Sequence, residues 1–81
     1  RFIKYMSGTN AEVLEYIVAP DTAITKKQLK DMNFPKNAII GGLIRGNESF
    51  IAVGDTQIQA YDRVAVFAMP EAVKEVDRFF R

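Results

Sequence analysis

The chain has 81 residues, 48% of them hydrophobic, and its 11 basic and 10 acidic residues leave a net charge of +1. This balance gives no general attraction to nucleic acid, and no apolar run approaches the roughly 20 residues that a membrane-spanning helix needs. Cysteine and histidine are both absent, which excludes disulfides, Cys/His zinc sites and the Ser-His-Asp and Cys-His catalytic arrangements.

The first ten residues are predicted to lie outside the main domain. Phe2, Ile3 and Met6 have helical spacing, and residues 7–10 (Ser-Gly-Thr-Asn) have the composition of a linker. The chain also opens without an initiator methionine. We therefore predict that residues 1–10 are a linker or the remnant of an upstream helix, that residues 11–81 form one domain, and that the chain is a piece of a longer protein.

A strand is predicted next, over residues 11–19. This stretch is rich in β-branched and aromatic side chains, and Pro20 ends it. Glu12 and Glu15 are three residues apart, so on a strand they point to opposite faces. This spacing makes a catalytic carboxylate pair unfavourable.

A short helix is predicted from about residue 26 to residue 31 or 32. Thr25 and Gln28 have the spacing of a capping box at its start. Asn33 is suited to a left-handed stop, and Pro35 prevents continuation. The stretch therefore has both a start and a stop signal.

A hairpin of two apolar strands follows. Residues 38–45 and 49–53 flank a turn at residues 45–48, in which Gly46 and Asn47 tolerate a positive φ. In both strands apolar residues stand next to one another instead of alternating, which predicts that both faces of the sheet are apolar.

A further strand and a closing helix complete the chain. Residues 57–59 are predicted to be briefly extended, and residues 62–69 form a strand that is again apolar on both faces. Pro70 is suited to the first position of a helix. The apolar stripe of this helix is formed by Val73, Val76, Phe79 and Phe80.

The order of elements is β-α-β-β-β-α, which predicts an α+β domain with a mainly antiparallel sheet of four to five strands and two helices on one face. Two short helices cannot cover the second apolar face, and a chain of this size buries only about 60% of its unfolded surface. We therefore predict a homodimer. Its predicted interface residues are Ile40, Gly42, Ile44, Ile51 and Val53. The alternative is that all of these residues fold into one monomeric core.

An ordered series of motifs covers residues 10–80. The pair Ile44-Arg45 ends an apolar strand, residues 54–67 lead into the last strand with Asp62 at its entry, and residues 69–80 form the closing helix. In this order the motifs resemble the TrkA C-terminal domain, also called the RCK C-terminal domain, of potassium uptake and potassium channel proteins. Tyr61 is a departure, since that family usually has Gly there.

The resemblance implies a regulatory function without enzymatic activity. Such domains follow a nucleotide-binding Rossmann-like domain, form dimers and regulate cation transporters or channels from the cytoplasmic side, peripheral to the inner face of the membrane. It therefore implies a domain that conveys ligand state to a membrane-embedded potassium transporter subunit. No cofactor is expected in this chain, because it has no GxGxxG sequence. NAD or ATP would bind in the upstream domain.

A small-ligand sensor is the alternative function. In some members of the family the dimer cleft binds a ligand such as cyclic di-AMP, and the corresponding positions here are Ile39, Ile40, Arg45, Asn47 and Phe50. This chain lacks the His that such binders often use, and its hairpin lacks their Pro. An accessory domain of an enzyme, which would not self-associate, is a third reading.

Two polar residues near the turns have a predicted role. Asp62 is expected to accept backbone hydrogen bonds at the entry to the last strand, as Asp does at turns. Arg45 ends a strand, where its guanidinium can form a salt bridge or bind an anion. No metal site is predicted.

Overall fold

The computed structural model describes residues 2–5 and 8–81, which form an α+β fold around one antiparallel sheet. The five strands lie in the order β1-β2-β5-β3-β4; they are β1 (Phe2–Tyr5), β2 (Glu12–Ile17), β3 (Ala38–Arg45), β4 (Glu48–Ile51) and β5 (Arg63–Ala68). The helical elements are three 3-10 turns and one α-helix: Ala23–Thr25, Leu29–Asp31, Pro70–Ala72 and α1 (Val73–Phe79). Within this described part, no helix reaches the length and apolar content that crossing a membrane requires.

The core lies between one face of the sheet, here called the inner face, and the helical elements. Every second residue of β2 and β5 is buried there, with Leu14, Val64 and Val66 fully inaccessible to solvent. From the other side α1 contributes Val76, and Tyr16 stacks on the ring of Phe80 with ring centres 3.9 Å apart. The stripe predicted for the closing helix is confirmed, because all four of its residues pack on this core.

The helix predicted over residues 26–32 is wrong: the chain forms one 3-10 turn there, Leu29–Asp31, separate from the turn at Ala23–Thr25. The amides of Leu29 and Lys30 donate to the carbonyl oxygens of Thr56 and Gly54, at 2.9 and 2.7 Å. Because these two amides bond to a distant loop, they are not available to an α-helical ladder. One α-helix and 3-10 turns therefore cover the inner face, instead of two α-helices.

The capping box predicted at Thr25 and Gln28 is not formed either. The Thr25 hydroxyl donates to the carbonyl oxygen of Thr22 at 2.7 Å. Gln28 has an extended backbone and forms an isolated bridge with Gln57. A tertiary contact between the two halves of the chain has thus overridden a local helix signal.

The start of the chain also differs from its prediction. Residues 2–5 form β1, which pairs antiparallel with β2 from Phe2 opposite Glu15 to Tyr5 opposite Glu12. Helical spacing had predicted a helix here, and its third apolar residue, Met6, lies outside the described residues. The domain boundary at residue 10 stays a prediction.

A β-bulge in β3 explains why apolar residues of this strand are adjacent in the sequence. Ile40 lies opposite Val66 and Gly42 opposite Ala65, so that Gly41 is an extra residue between them. The extra residue shifts the alternation, and Ile40 and Leu43 both point into the core although they are three residues apart. The predicted bounds of this strand, residues 38–45, are confirmed.

Gly42 packs against backbone, which makes its substitution costly. A Cβ atom at this position would lie 2.8 Å from the carbonyl oxygen of Phe50 on the neighbouring strand. We expect Gly42→Ala to lower the free energy of unfolding by about 1–3 kcal/mol, because strands must separate to admit the methyl group. Urea denaturation followed by circular dichroism measures this loss.

Gly46 provides the control for that substitution. Its φ is +60° and the space around it is open, and asparagine tolerates this backbone conformation. Gly46→Asn should therefore stay within about 0.5 kcal/mol of the wild type. Equal stabilities of the two variants would contradict the close approach at Gly42.

Candidate functional site

The second face of the sheet, here called the outer face, is covered by no described element. The strand register places alternate residues of all five strands on it. Its apolar residues are Phe2, Val13, Ile17, Ile39, Ile44, Ile51, Phe67, Ala65 and Gly42. Four of them are largely exposed: Ile51 at 80%, Phe2 at 68%, Ile17 at 65% and Ile39 at 64% of their surface. A contiguous exposed apolar surface of this kind is typical of a binding site.

The outer face has a hollow between two ridges. Val13, Phe67 and Ile39 lie side by side in one row of the register, and Arg63 and Ile44 in another. Between the rows Ala65 lies opposite Gly42, and these small residues form the floor of a depression of about 240 Å³. Such a surface can receive a ridge of side chains from a partner.

Gly41 allows one of these ridges to lie flat on the sheet. A Cβ atom there would come within 2.6 Å of the Phe67 ring. The ring therefore occupies the space that any other side chain at this position would fill. Gly41 thus helps to shape the outer face without contributing side-chain surface to it.

An ion pair lies within this apolar face. The Arg63 guanidinium donates to Oε1 of Glu15 through Nη2 at 2.8 Å and through Nε at 3.1 Å. The two residues lie on neighbouring strands, β5 and β2, at the side of the hollow. Both side chains are partly exposed. The outer face therefore carries this ion pair next to its apolar residues, and Lys4 adds a positive charge on β1, opposite Val13.

The structure places most of the predicted dimer-interface residues on the exposed side of the sheet and one of them in the core. Gly42, Ile44 and Ile51 lie on the outer face, and Val53 is exposed beyond the end of β4. Ile40 requires a correction, because it points into the core and is only 8% exposed. The bulge that follows it places Ile39, and not Ile40, on the outer face.

Sequence reasoning left Ile17 and Phe67 out of this surface, although the structure places both on it. A signal was present for Phe67, which belongs to a strand predicted to be apolar on both faces, whereas the strand of Ile17 contains Glu12 and Glu15 and was not predicted to be so. The register, which decides the face for each residue, depends on pairing between distant strands. The hairpin alone could not provide it.

The five predicted ligand-binding residues do not come together. Ile39 lies on the outer face and Ile40 in the core, whereas Arg45 is six residues further along β3, or about 20 Å in an extended strand. Asn47 is exposed in the turn. Phe50 lies opposite Leu43, on the inner side, with the Arg45 guanidinium 5.3 Å from its ring centre. Ligand binding at these positions stays a prediction.

Arg45 forms a bidentate salt bridge with Asp62, here called the Arg45–Asp62 pair. The Nε and Nη2 atoms lie 2.9 and 2.8 Å from the two carboxylate oxygens. The Asp62 side chain is fully buried, whereas that of Arg45 is 35% exposed. Nη2 also donates to the carbonyl oxygen of Gln57 at 3.2 Å. Of the two roles open to Arg45, the structure shows the salt bridge.

Asp62 also accepts the backbone hydrogen bond that was predicted for it. The donor is the amide of Gln59, 2.9 Å from Oδ2. Burial by itself raises the pKa of Asp62, but the hydrogen bonds from Arg45 and Gln59 and the charge of Arg45 outweigh it. The pKa of Asp62 therefore lies below its ordinary value. The same pair raises the pKa of Arg45, so both groups are ionised at neutral pH.

A metal centre is not evident in the part of the chain that the structure describes, where no three potential ligand side chains gather. The outer side of the sheet presents apolar residues with the Glu15–Arg63 ion pair among them. The Arg45–Asp62 pair is a structural contact, and its carboxylate is buried. The outer face is the candidate functional site, because it presents a contiguous, largely exposed apolar surface to a partner.

Known proteins with similar sequences are components of potassium uptake systems. The chain is 37% identical over 76 residues to the Trk system potassium uptake protein TrkA homolog 1 of Methanosarcina mazei, which covers 94% of this chain and 17% of that protein. It is 43% identical over 65 residues to the TrkA homolog of Archaeoglobus fulgidus, which covers 80% and 15%. The chain thus spans about one sixth of the length of these relatives.

A solved structure and a family model agree with these relatives. A structure described as an RCK domain with cda superposes with a TM-score of 0.70 at 29% identity, and the match covers 85% of this chain and 97% of that one. The model of the TrkA-C domain matches residues 13–81, from β2 to the end of the chain. The chain belongs to the TrkA-C domain family.

Proposed function

We propose that this chain is the cytoplasmic regulatory and dimerisation domain of a Trk-type potassium uptake protein. The relatives support the transport system, since the similar proteins from M. mazei and A. fulgidus are both named potassium uptake proteins. The dimer is supported by one observation, the exposed apolar outer face. The domain acts by binding and movement and not by catalysis.

The outer face is large enough for a stable interface between two copies. Five strands about 4.8 Å apart and six residues of about 3.3 Å each give a face of roughly 500 Å² in projection, and the accessible area of a corrugated surface is larger. Stable interfaces bury about 800 Å² of accessible surface on each partner. Two outer faces packed together, as in a β-sandwich, reach this scale.

Dimerisation gives the domain a means to transmit a signal. A ligand that changes the placement of two subunits elsewhere in the protein shifts the pairing of these domains, and this shift reaches a membrane-embedded transporter subunit. A nucleotide such as NAD or ATP binds in an upstream domain and not in this chain. The present domain is then the element that couples subunits, and it requires no ligand of its own.

The dimer is tested first by measuring the mass of the chain in solution. Light scattering at micromolar concentrations should give twice the chain mass of 9.1 kDa, which is 2 × 9.1 = 18.2 kDa. A mass of 9.1 kDa across that range would contradict the proposal.

The transport function is tested in a longer protein. A Trk-type uptake protein that carries this domain should restore growth at low potassium in a bacterium that lacks its own uptake system. Substituting the outer face should reduce that growth, while Gly46→Asn, away from the face, should not. Growth that is indifferent to outer-face substitutions would contradict a regulatory function of the dimer.

A further inference from the structure

We propose that the Glu15–Arg63 ion pair determines which partner the outer face accepts: it fixes the register of a second copy of this chain by exchanging hydrogen bonds with the same pair of that copy. The inference rests on the dimer proposed above and goes beyond it. It assigns specificity to two residues, whereas the apolar surface supplies affinity.

The position of the pair is unusual for two charges. Glu15 lies opposite Phe2 and Ala65, and Arg63 lies opposite Ile17 and Ile44. The described neighbours of the pair along the two rows are therefore apolar. Charges at such a place are partly desolvated by any partner that covers the face, which costs free energy unless the partner supplies matching groups.

The pair has hydrogen-bonding capacity that its own chain does not use. Both bonds from Arg63 go to the same oxygen, Oε1 of Glu15. Among the described residues nothing donates to Oε2 of Glu15, and nothing accepts from Nη1 of Arg63. One acceptor and one set of donors are thus available to a partner, since both side chains are partly exposed.

A second copy related by a two-fold axis supplies both missing groups. In such an interface each surface meets an identical one, and every contact occurs twice. With the axis next to the ion pair, Glu15 of one copy meets Arg63 of the other, and the reverse contact forms as well. The four charges alternate in sign around the axis. A partner without this arrangement buries the ion pair but leaves Oε2 of Glu15 and Nη1 of Arg63 without hydrogen bonds. This disfavours wrong partners and shifted registers.

Charge reversal at each position tests this arrangement. Glu15→Arg gives a chain with two positive charges at the site, and Arg63→Glu gives one with two negative charges. Each variant alone should dimerise at least about 10-fold more weakly than the wild type, and an equal mixture of the two should recover most of the lost affinity. Sedimentation equilibrium measures the four dissociation constants, for the wild type, the two variants and their mixture.

Matched controls come from the exposed pair of Lys26 and Asp21, whose charged atoms are 3.3 Å apart. Asp21→Lys and Lys26→Glu change the net charge by the same amounts as the test variants, but in a loop away from the outer face. Both should dimerise like the wild type. If they weaken the dimer as much as the test variants do, net charge and not the pair is responsible, and the inference fails.

A double variant keeps the test valid even if a single reversal disturbs folding. Glu15→Arg/Arg63→Glu retains an ion pair within the chain and should form its own dimer. Mixed with the wild type, however, it brings like charges together, so hybrid dimers should fall at least about 10-fold below the statistical proportion. Native mass spectrometry counts homodimers and hybrids.

The outcomes separate the inference from the proposed function. A wild-type chain that stays monomeric overturns both. A wild-type dimer with unaffected single variants, or with double-variant hybrids in statistical proportion, overturns only the role of the pair. Weakened single variants whose mixture does not recover also overturn it, because complementary charges would then not meet across the interface.

Discussion

Arg45→Met should lower the free energy of unfolding by about 3–5 kcal/mol, because it leaves the buried carboxylate of Asp62 without its counter-charge. Methionine retains much of the apolar stem of arginine, so the loss reflects the charge and its hydrogen bonds. Small domains are stable by only about 5–15 kcal/mol. The variant should therefore unfold at a much lower urea concentration, which circular dichroism measures.

Substituting the other partner, Asp62→Asn, should lower the free energy of unfolding less than Arg45→Met does. Asp62→Asn removes the buried charge, and the Arg45 side chain, 35% exposed, can turn its guanidinium towards water. We expect a loss of about 1–3 kcal/mol, the range for a buried hydrogen-bonding group that loses a charged partner. Equal losses in the two variants would contradict the difference in burial between the partners.

Acidification should bring the stability of Arg45→Met closer to that of the wild type. In the wild type the pKa of Asp62 is lowered by folding, so its stabilising contribution is present above the unfolded pKa, about 3.9, and is lost as the pH falls through the folded value. In Arg45→Met only burial and the Gln59 amide act, and burial favours the protonated form. The deficit of Arg45→Met should therefore shrink between pH 7 and about pH 4. A constant deficit would show that the carboxylate is not the source of the loss.

The Arg45–Asp62 pair also shows where sequence reasoning reaches its limit. The role of Asp62 as an acceptor for a nearby amide was predictable, because Asp before a strand commonly binds backbone within a few residues. The salt bridge joins residues 17 positions apart and requires the pairing of β3 with β5. Nothing in either local stretch specifies that pairing.

The same limit explains the error at Leu29 and Lys30. The local pattern favoured a helix, with a cap before it and proline after it. The loop around Gly54 and Thr56 instead accepts the hydrogen bonds of both amides. Helix propensity is a weak influence of a few tenths of a kcal/mol per residue, and tertiary contacts of this kind outweigh it.

The outer face was predictable in kind but not residue by residue. Apolar residues next to one another in β3 and β5 indicated a sheet with two apolar faces, and the structure leaves one of them exposed. The assignment of Ile40 to that face was wrong, because a single extra residue at Gly41 shifts the alternation. Glycine within a strand often marks such a bulge, but which of Ile39 and Ile40 points outward depends on the pairing of β3 with β5.

Ile39→Glu should abolish the dimer at micromolar concentrations, with a dissociation constant raised at least about 100-fold, because a carboxylate would be buried in an apolar interface without a partner. The isolated fold should tolerate the change, since Ile39 is 64% exposed. Light scattering measures the mass, and circular dichroism verifies that the variant is folded.

Ile3→Glu is the matched control for that variant. Ile3 is 41% exposed, but it lies opposite Leu14 and so belongs to the inner side of the sheet. It should dimerise like the wild type. The two variants introduce the same charge in place of the same residue, so a difference between them identifies the outer face as the contact surface.

Stability provides a second and independent measurement of the same contact. If two copies pair through the outer face, the unfolding midpoint of the wild type rises with protein concentration, because association favours the folded state. In Ile39→Glu the midpoint should no longer depend on concentration. A wild-type midpoint that is constant across micromolar concentrations, or an Ile39→Glu dimer of unchanged affinity, would show that the exposed isoleucines and Phe67 do not meet a second copy.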